Sequence, residues 1–587
     1  MQYAAAAARR RVAGLLLFFL LLGRVAFAQA PAWQTAVATH QVGNYFARVS
    51  ATATDASGNV YLAGHFTGAV SFGATTLTTT DRADIFVAKW SASSHGFVWA
   101  QQAGGAGLDI VTALALDGAS VYLTGAFDGP MARFGSTTLA TSNGSGGNAF
   151  AGQGTPFVVK LIDAGPIAGF AWAQRVDGTS GTASAVAVNG ANVYIAGQFS
   201  GTARFGPTAL TAAAGDDVFV AKLLDTGTAA AFVWAQQAGG AGDETATALA
   251  VNGAGVYVTG RFNSQTATFG RTALANANPA GTYQLADIFV AKLTDAGPAG
   301  GFTWAQQAGG AGPDSALGVA VNGPNVYIAG YFSGPSAAFG TSTLAGAGAS
   351  NALVAKLTDD GPAGRFVWVQ RVGGTGSDSA TAVAVRGPSV YIAGTFGSVQ
   401  AVFGPTTLTN AGRAGSRDVF VAKLTDTGGG GGFDWAQQAG GAGDDFATSV
   451  AVNGAAVYVG GGAAPPTKFG PLVLAVPAGT QGGFLASLAE LTATATATAA
   501  APVRFAFTLA PNPARTAATL TLPAVPGAPT AVLTLLDALG RVVRTETVGL
   551  PAAGLRHELP LLGLPAGLYD VRVAAGAATA TRRLVVE

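Results

Sequence analysis

The sequence predicts an all-β chain: a seven-bladed β-propeller closed by an N-terminal clasp strand, followed by a small Ig-like β-sandwich. Three observations carry this. Four short phrases recur in register about every 66 residues. Each phrase is rich in β-branched and aromatic residues and is bounded by Gly, Asn or Asp. A fragment of the repeat also stands alone ahead of the first full copy.

The first phrase, Val-Tyr-x-(Ala/Thr)-Gly-x-Phe, places its tyrosine at Tyr61, Tyr122, Tyr194, Tyr257, Tyr327 and Tyr391, with a worn seventh copy at Val457-Tyr458-Val459-Gly460-Gly461. Phe-Gly recurs from Phe72 to Phe469. Phe-Val-Ala-Lys or a near variant ends at Lys89, Lys160, Lys222, Lys292, Lys356 and Lys423, and decays to Phe484-Leu485-Ala486-Ser487. Trp-Ala-Gln-Gln or a relative starts at Trp99, Trp172, Trp234, Trp304, Trp368 and Trp435. In one copy these phrases predict strand a over Ala183–Val188, b over Val193–Phe199, c over Val218–Leu223 and d over Phe232–Gln236. Asn189-Gly190-Ala191-Asn192 makes a and b a hairpin. On strand b, Val193, Ile195 and Phe199 share one face, and Tyr194 and Ala196 take the other. Both faces are apolar, so neighbouring copies must cover both. Trp33 matches strand d but precedes the first strand a, whereas the seventh copy stops after strand c. The N-terminal segment therefore completes the seventh blade, and seven four-stranded blades lie within the propeller range.

Composition narrows the function. Charged residues make up 10% of 587, the net charge is +1 and there is no basic run, which excludes the electrostatic footprint of a nucleic-acid binder. The mean hydropathy of +0.38 raises the question of a membrane. No apolar stretch approaches the roughly 20 residues that a spanning helix needs, so no transmembrane segment is expected in the mature chain. The chain has no cysteine, so its stability must come from packing without disulfides.

The ends carry an address. Arg9–Arg11, the apolar run Val12–Leu22 and Ala26-Phe27-Ala28 have the order of a secretory signal over residues 1–28, cleaved after Ala28. The propeller is expected over 29–491, a Thr/Ala linker over 492–502 and the terminal sandwich over 503–587. Strands in that sandwich are predicted at Ala518–Leu522, Ala531–Leu536, Arg541–Thr545, Tyr569–Val573 and Arg582–Val586.

Two resemblances follow from these residues. Asp55-Ala-Ser-Gly-Asn-Val-Tyr-Leu-Ala-Gly64 and its six relatives, from about Trp33 to Leu491, resemble bacterial β-propeller repeats of the SBBP type. That implies a fold and no particular activity. Pro511-Asn512-Pro513, then Gly540-Arg541, then Gly567-Leu568-Tyr569 resemble, in that order, the type A C-terminal sorting domain of type IX secretion substrates. This second resemblance implies handling by the type IX secretion machinery, outer-membrane translocation, removal of the tail, and release or attachment at the cell surface.

Candidate chemistry is sparse. Chain parity puts the b-to-c and d-to-a connections on one face, where long insertions such as Ser200–Asp217 and Asn263–Asp287 form the expected working face. The residue between Gly and Phe of strand b varies as His65, Ala126, Gln198, Arg261, Tyr331 and Thr395, which suggests a binding rim for an extracellular glycan or protein ligand. The six strand-c lysines either form a cationic ring or, more in keeping with snorkelling side chains, meet Asp163, Asp225, Asp295, Asp359 and Asp426. Asp109, Asp243, Asp314, Asp378 and Asp444 recur in the d-to-a loops, where they bond their own turns or hold calcium; no other cofactor is implied. His40, His65 and Asp109 are the one acid/base or metal grouping the sequence offers. Thr54-Asp55-Ala-Ser-Gly58 resembles a sialidase Asp-box but lacks its terminal Trp. The expectation is a secreted or surface-displayed binding and adhesion module. The alternatives are a polysaccharide hydrolase or lyase centred on His40, His65 and Asp109, or a structural surface-layer component.

Overall fold

The computed structural model describes residues 30–41, 46–79, 81–141, 149, 153–278, 285–413, 415–477, 480–490, 507–525, 528–537, 541–575 and 578–587. The signal with its cleavage at Ala28, the Thr/Ala linker and Gly540 lie outside them. The chain divides into two compact units, Met1–Glu490 and Leu491–Glu587. Among the described residues the chain is all-β, and no helix is long and apolar enough to cross a membrane.

In the first unit, strand b lies between strands a and c at Val60–Phe66, Ser120–Phe127, Asn192–Phe205, Gly255–Phe262, Asn325–Phe332, Ser389–Phe396 and Ala456–Ala463, with every pairing antiparallel. The four strands used above as the example run Asp177–Asn189, Asn192–Phe205, Thr208–Asp225 and Ala230–Gly239. They are longer than the sequence phrases because Ser200–Asp217 is no open loop: strands b and c continue through it as a hairpin. Elsewhere the same insertion is a separate hairpin, such as Thr266–Phe269 with Thr272–Ala275, whose first strand also pairs with the end of the preceding strand d. The recurring Phe-Gly marks its tight turn. Gly270 there has φ +61°, which a glycine adopts without strain. The phenylalanine folds back onto strand c, with Phe269 and Phe289 centroids 4.8 Å apart and Phe205 and Phe219 5.0 Å apart. Stacking, rather than a working loop, is the reason for that phrase.

The cores lie between successive sheets. Tyr194, Val220 and Trp234 of one copy pack with Ala246, Val258 and Phe289 of the next, and Val193, Ile195 and Phe199 pack the opposite way. Polar joints link the same neighbours. Asp225 Oδ2 accepts from Lys160 Nζ at 2.6 Å and Tyr122 OH at 2.7 Å, while Oδ1 accepts from Trp172 Nε1 at 3.0 Å and Gly227 N at 2.8 Å. Each lysine thus pairs with the carboxylate that ends or directly follows strand c of the next copy rather than one in its own: Lys89 with Asp163, Lys222 with Asp295, Lys292 with Asp359, Lys356 with Asp426 and Lys423 with Glu490.

The sheet Phe446–Asn453, Ala456–Ala463 and Gly482–Ala489 takes Trp33–Ala38 as its fourth strand. The register corrects the sequence alignment. Trp33 faces Leu488 and stands where the other copies have the phenylalanine two residues before the strand-d tryptophan; Thr35 faces Ser487 at the tryptophan position. Trp33 accordingly packs edge-on against Phe469 at 4.9 Å, as Phe97 does on Phe72 at 5.1 Å. Thr35 and Ser487 replace the ionic joint with a hydroxyl pair at 2.7 Å. The same sheet contacts the first copy: Thr448 Oγ1 donates to Val49 O at 2.7 Å, Thr52 to Ser449 at 3.0 Å, and Tyr458 OH to Gly58 O at 3.3 Å.

The second unit is two antiparallel sheets. One is Thr508–Ala510, Ala517–Leu522 and Leu555–Pro560; the other is Val542–Gly549, Thr530–Asp537, Gly567–Ala575 and Ala578–Val586. Leu520, Leu533, Val571 and Leu584 fill the space between them. Its sequence markers have structural roles. Asn512 donates from Nδ2 to Arg583 O at 2.8 Å and accepts from Val585 N at 2.9 Å, tying the Pro511–Pro513 turn to the last strand. Arg541 pairs with Asp537 at 2.7 Å, Gly567 opens its strand, and Tyr569 OH donates to Pro565 O at 2.9 Å.

Candidate functional site

The strand-b position proposed as a rim is unequally exposed. Because that strand is central, its neighbours decide what solvent reaches. His65, Ala126 and Thr395 are buried, Gln198 and Tyr331 are partly buried, and Arg261 is exposed. Gln198 is engaged by Asp216 at 3.0 Å. A continuous exposed rim of these residues is therefore corrected to a local feature. Tyr331 and Thr395, from adjacent copies, line one cavity of about 150 Å³ with Ser350, Ser377, Asp378, Ser379 and Arg417.

That cavity is floored by a fixed carboxylate. Asp378 is buried and accepts from Gly374 N at 2.8 Å, Ser398 Oγ at 2.6 Å, Gly397 N at 3.1 Å and Ser398 N at 3.2 Å. Four donors hold it in place, so its role is to shape the floor. Hydroxyls from four residues, the Tyr331 ring and the exposed Arg417 guanidinium supply the remaining lining. Sequence reading missed Ser350, Ser377, Ser379 and Arg417. The signal was Ser-Asp-Ser at 377–379, where the corresponding loop elsewhere reads Leu108-Asp109-Ile110.

The grouping of His40, His65 and Asp109 does not assemble as a catalytic centre. His40 is in a two-residue strand paired with Ser71 and Val70, and its side chain lies outside the described residues. His65 is buried against Phe46, with Ser50 Oγ at 3.5 Å from Nδ1. Burial, aided by Arg48, depresses its pKa to about 3, so it stays neutral and is a poor base at neutral pH. Asp109 belongs to another cluster. It accepts from Gly105 N at 2.6 Å, and burial, with Asp84, Asp128 and Asp81 nearby, pushes its pKa up to about 8.

The recurring loop carboxylates also need correction. Asp109, Asp314 and Asp378 are buried as the motif suggests, but Asp243 and Asp444 are exposed, and Glu244 and Asp445 take their places. Strand register decides this: Glu244 faces Phe262, just as Asp109 faces Phe127. Among the described residues no three His, Cys, Asp or Glu side chains form a metal-holding group. Asp55 of the Asp-box-like turn is used locally, accepting from Ser57 N and Asn59 N, each at 2.9 Å.

Comparison with known proteins bears on the tail. Residues 508–587 match the secretion system C-terminal sorting domain. No curated protein matches the chain. Solved structures with some likeness include a protein of unknown function from Dyadobacter fermentans DSM 18053, at 9% identity, covering 79% of this chain and 100% of that one with a TM-score of 0.35. A second is the parainfluenza virus 5 hemagglutinin-neuraminidase with the ligand DANA, at 8% identity, 68% and 90% coverage and a TM-score of 0.29. A third is dimeric latent PorU from Porphyromonas gingivalis, at 10% identity, 63% and 31% coverage and a TM-score of 0.12. None of the three is similar enough to transfer a function. The sorting domain is decisive for destination: the chain ends in a type IX sorting domain and is exported to the cell surface or the extracellular medium.

Proposed function

We propose that this protein is an exported binding module, a seven-bladed β-propeller whose ends are joined by the Trp33–Ala38 strand, and that it takes a glycan at the cavity between Tyr331 and Thr395. The observation that carries the ligand class is the lining: four hydroxyl side chains, one aromatic ring and one exposed guanidinium around a small polar cavity. Aromatic faces stack on sugar rings, hydroxyls exchange hydrogen bonds with them, and a guanidinium favours a carboxylate or sulfate substituent. The bonds from Thr448 to Val49 and from Thr35 to Ser487 support ring closure.

The test is binding of the purified protein to an array of neutral and acidic glycans, beside Tyr331→Ala and Arg417→Ala. A hit on acidic glycans that weakens at least tenfold in both variants is expected. A hit unaffected by either would place the ligand elsewhere, and a blank array would refute the glycan reading.

A further inference from the structure

The repeats contain their own internal comparison at the junction between copies. At the first junction Asp84, which opens strand c, faces Phe66, and Asp109, which opens the next strand a, faces Phe127, so the two carboxylates sit at the ends of successive strands b. Along the chain these partners are Asp84 with Asp109, Thr155 with Gly181, Asp217 with Glu244, Asp287 with Asp314, Asn351 with Asp378, Asp418 with Asp445, and Gly482 with Ala47. Acids occur together at four junctions, are absent together at two, and at the remaining one Asn351 stands with Asp378. Two buried like charges repel, so independent variation would separate them. That both acids are kept at four of the seven junctions, against this repulsion, points to something held between them.

Two junctions show an unmet need. Asp84 and Asp109 are both buried, and each keeps one carboxylate oxygen, Oδ1, without a hydrogen-bond partner; Asp418 Oδ1 and Asp445 Oδ2 repeat this. Such oxygens are costly to bury unless a cation or proton meets them. The glycine between the first pair makes the room. A Cβ on Gly104 would lie 2.5 Å from the unpartnered Asp84 Oδ1 and 2.7 Å from Asp109 Oδ2, the oxygen that accepts from Gly105 N, which puts these two oxygens within about 5 Å of each other. One calcium ion, with bonds of about 2.3–2.6 Å, spans that gap. Asp81 and Asp128 add negative charge nearby, and Arg82 is the cation paired there, with Asp128 at 3.4 Å.

We propose that Asp84 with Asp109, and Asp418 with Asp445, each hold a calcium ion that fastens one repeat to the next. Two carboxylates per site leave the rest of the shell to backbone carbonyls and water. That places affinity in the class of extracellular modules, about 10⁻⁴–10⁻³ M.

The test is calorimetric titration of the full purified chain with calcium chloride at pH 8, with thermal unfolding in calcium or chelator. The expected stoichiometry is two, and calcium at a hundredfold over Kd raises the midpoint by roughly 5 °C. The double substitution Asp84→Thr/Asp109→Gly copies the neutral junction already present at Thr155 and Gly181, so it preserves a pairing this fold tolerates. It should remove one of the two sites, as should Asp418→Thr/Asp445→Gly. A milder variant, Asp84→Asn, guards against loss of folding and should weaken one site at least tenfold. Unchanged stoichiometry in these variants overturns the proposal. So does a midpoint that ignores calcium and chelator but rises as pH falls from 8 to 5, because a shared proton would then be the bridge.

Discussion

Replacing Asp225 by alanine removes the acceptor of an entire inter-sheet joint. Its two oxygens take hydrogen bonds from Lys160, Tyr122, Trp172 and Gly227 N at 2.6–3.0 Å, and the two charged side chains are 7% and 4% exposed. Burial pushes this carboxyl up, but the donors, led by Lys160 and Tyr122, outweigh burial and hold it below its ordinary value. The substitution strands a buried ammonium and leaves a phenol and an indole N–H unmet. Breaking a buried pair by removing one partner costs about 3–5 kcal/mol. Asp225→Asn should cost less, since an amide oxygen still accepts from the tyrosine or tryptophan. Ser487→Ala, at the joint that uses a neutral hydroxyl pair, should cost about 1 kcal/mol. Denaturant unfolding followed by tryptophan fluorescence measures all three. A loss below about 1 kcal/mol for Asp225→Ala, or equal losses for Asp225→Ala and Ser487→Ala, would refute the reasoning that these joints carry stability.

Three further outcomes are expected. Trp33→Ala removes a buried ring packed edge-on against Phe469 and a hydrogen bond from Nε1 to Gln438 O at 3.0 Å, and should cost about 3–5 kcal/mol in the same unfolding assay. Burial raises the carboxyl pKa values of Asp109 to about 8 and of Asp314 and Asp445 to about 7. Their folded values lie above the unfolded one, so their contribution is fullest below about pH 4 and is lost as pH rises through 7–8. With chelator present, the midpoint should therefore fall between pH 5 and pH 9, and a flat profile would contradict this. Asn512→Ala deletes two ties to the final strand, so amide exchange over residues 578–587 in the full chain should quicken about tenfold or more.

The strand phrases were legible because burial on both faces forces β-branched and aromatic residues into fixed alternation, and Val193, Ile195 and Phe199 pack opposite to Tyr194 and Ala196 as read. What failed was register and reach. Trp33 resembled the strand-d tryptophan by residue type, yet pairing against Leu488 puts it at the phenylalanine position. Asp243 and Asp444 fitted the loop phrase by spacing, while a one-residue shift gives the buried place to Glu244 and Asp445. The lysine joints were visible as Lys and Asp phrases, but that each reaches the following copy depends on how sheets stack. Exposure along strand b was unreadable because it depends on which side chains flank each copy: Phe46 covers His65, while Arg261 is left in solvent. In the tail, Thr508–Ala510 and Leu555–Pro560 are short and polar on one side and gave too little alternation to be seen.

The central claim is that a strand near the N-terminus completes the last sheet of the repeat array. The chain has no cysteine, so an introduced pair reports without interference. Thr35 and Ser487 are 452 residues apart in sequence, with hydroxyls 2.7 Å apart across facing strand positions. Thr35→Cys/Ser487→Cys, oxidised and analysed by non-reducing electrophoresis and peptide mass spectrometry, should yield a near-quantitative intramolecular disulfide and a raised unfolding midpoint. Two free thiols, or cross-links only between molecules, would contradict the account.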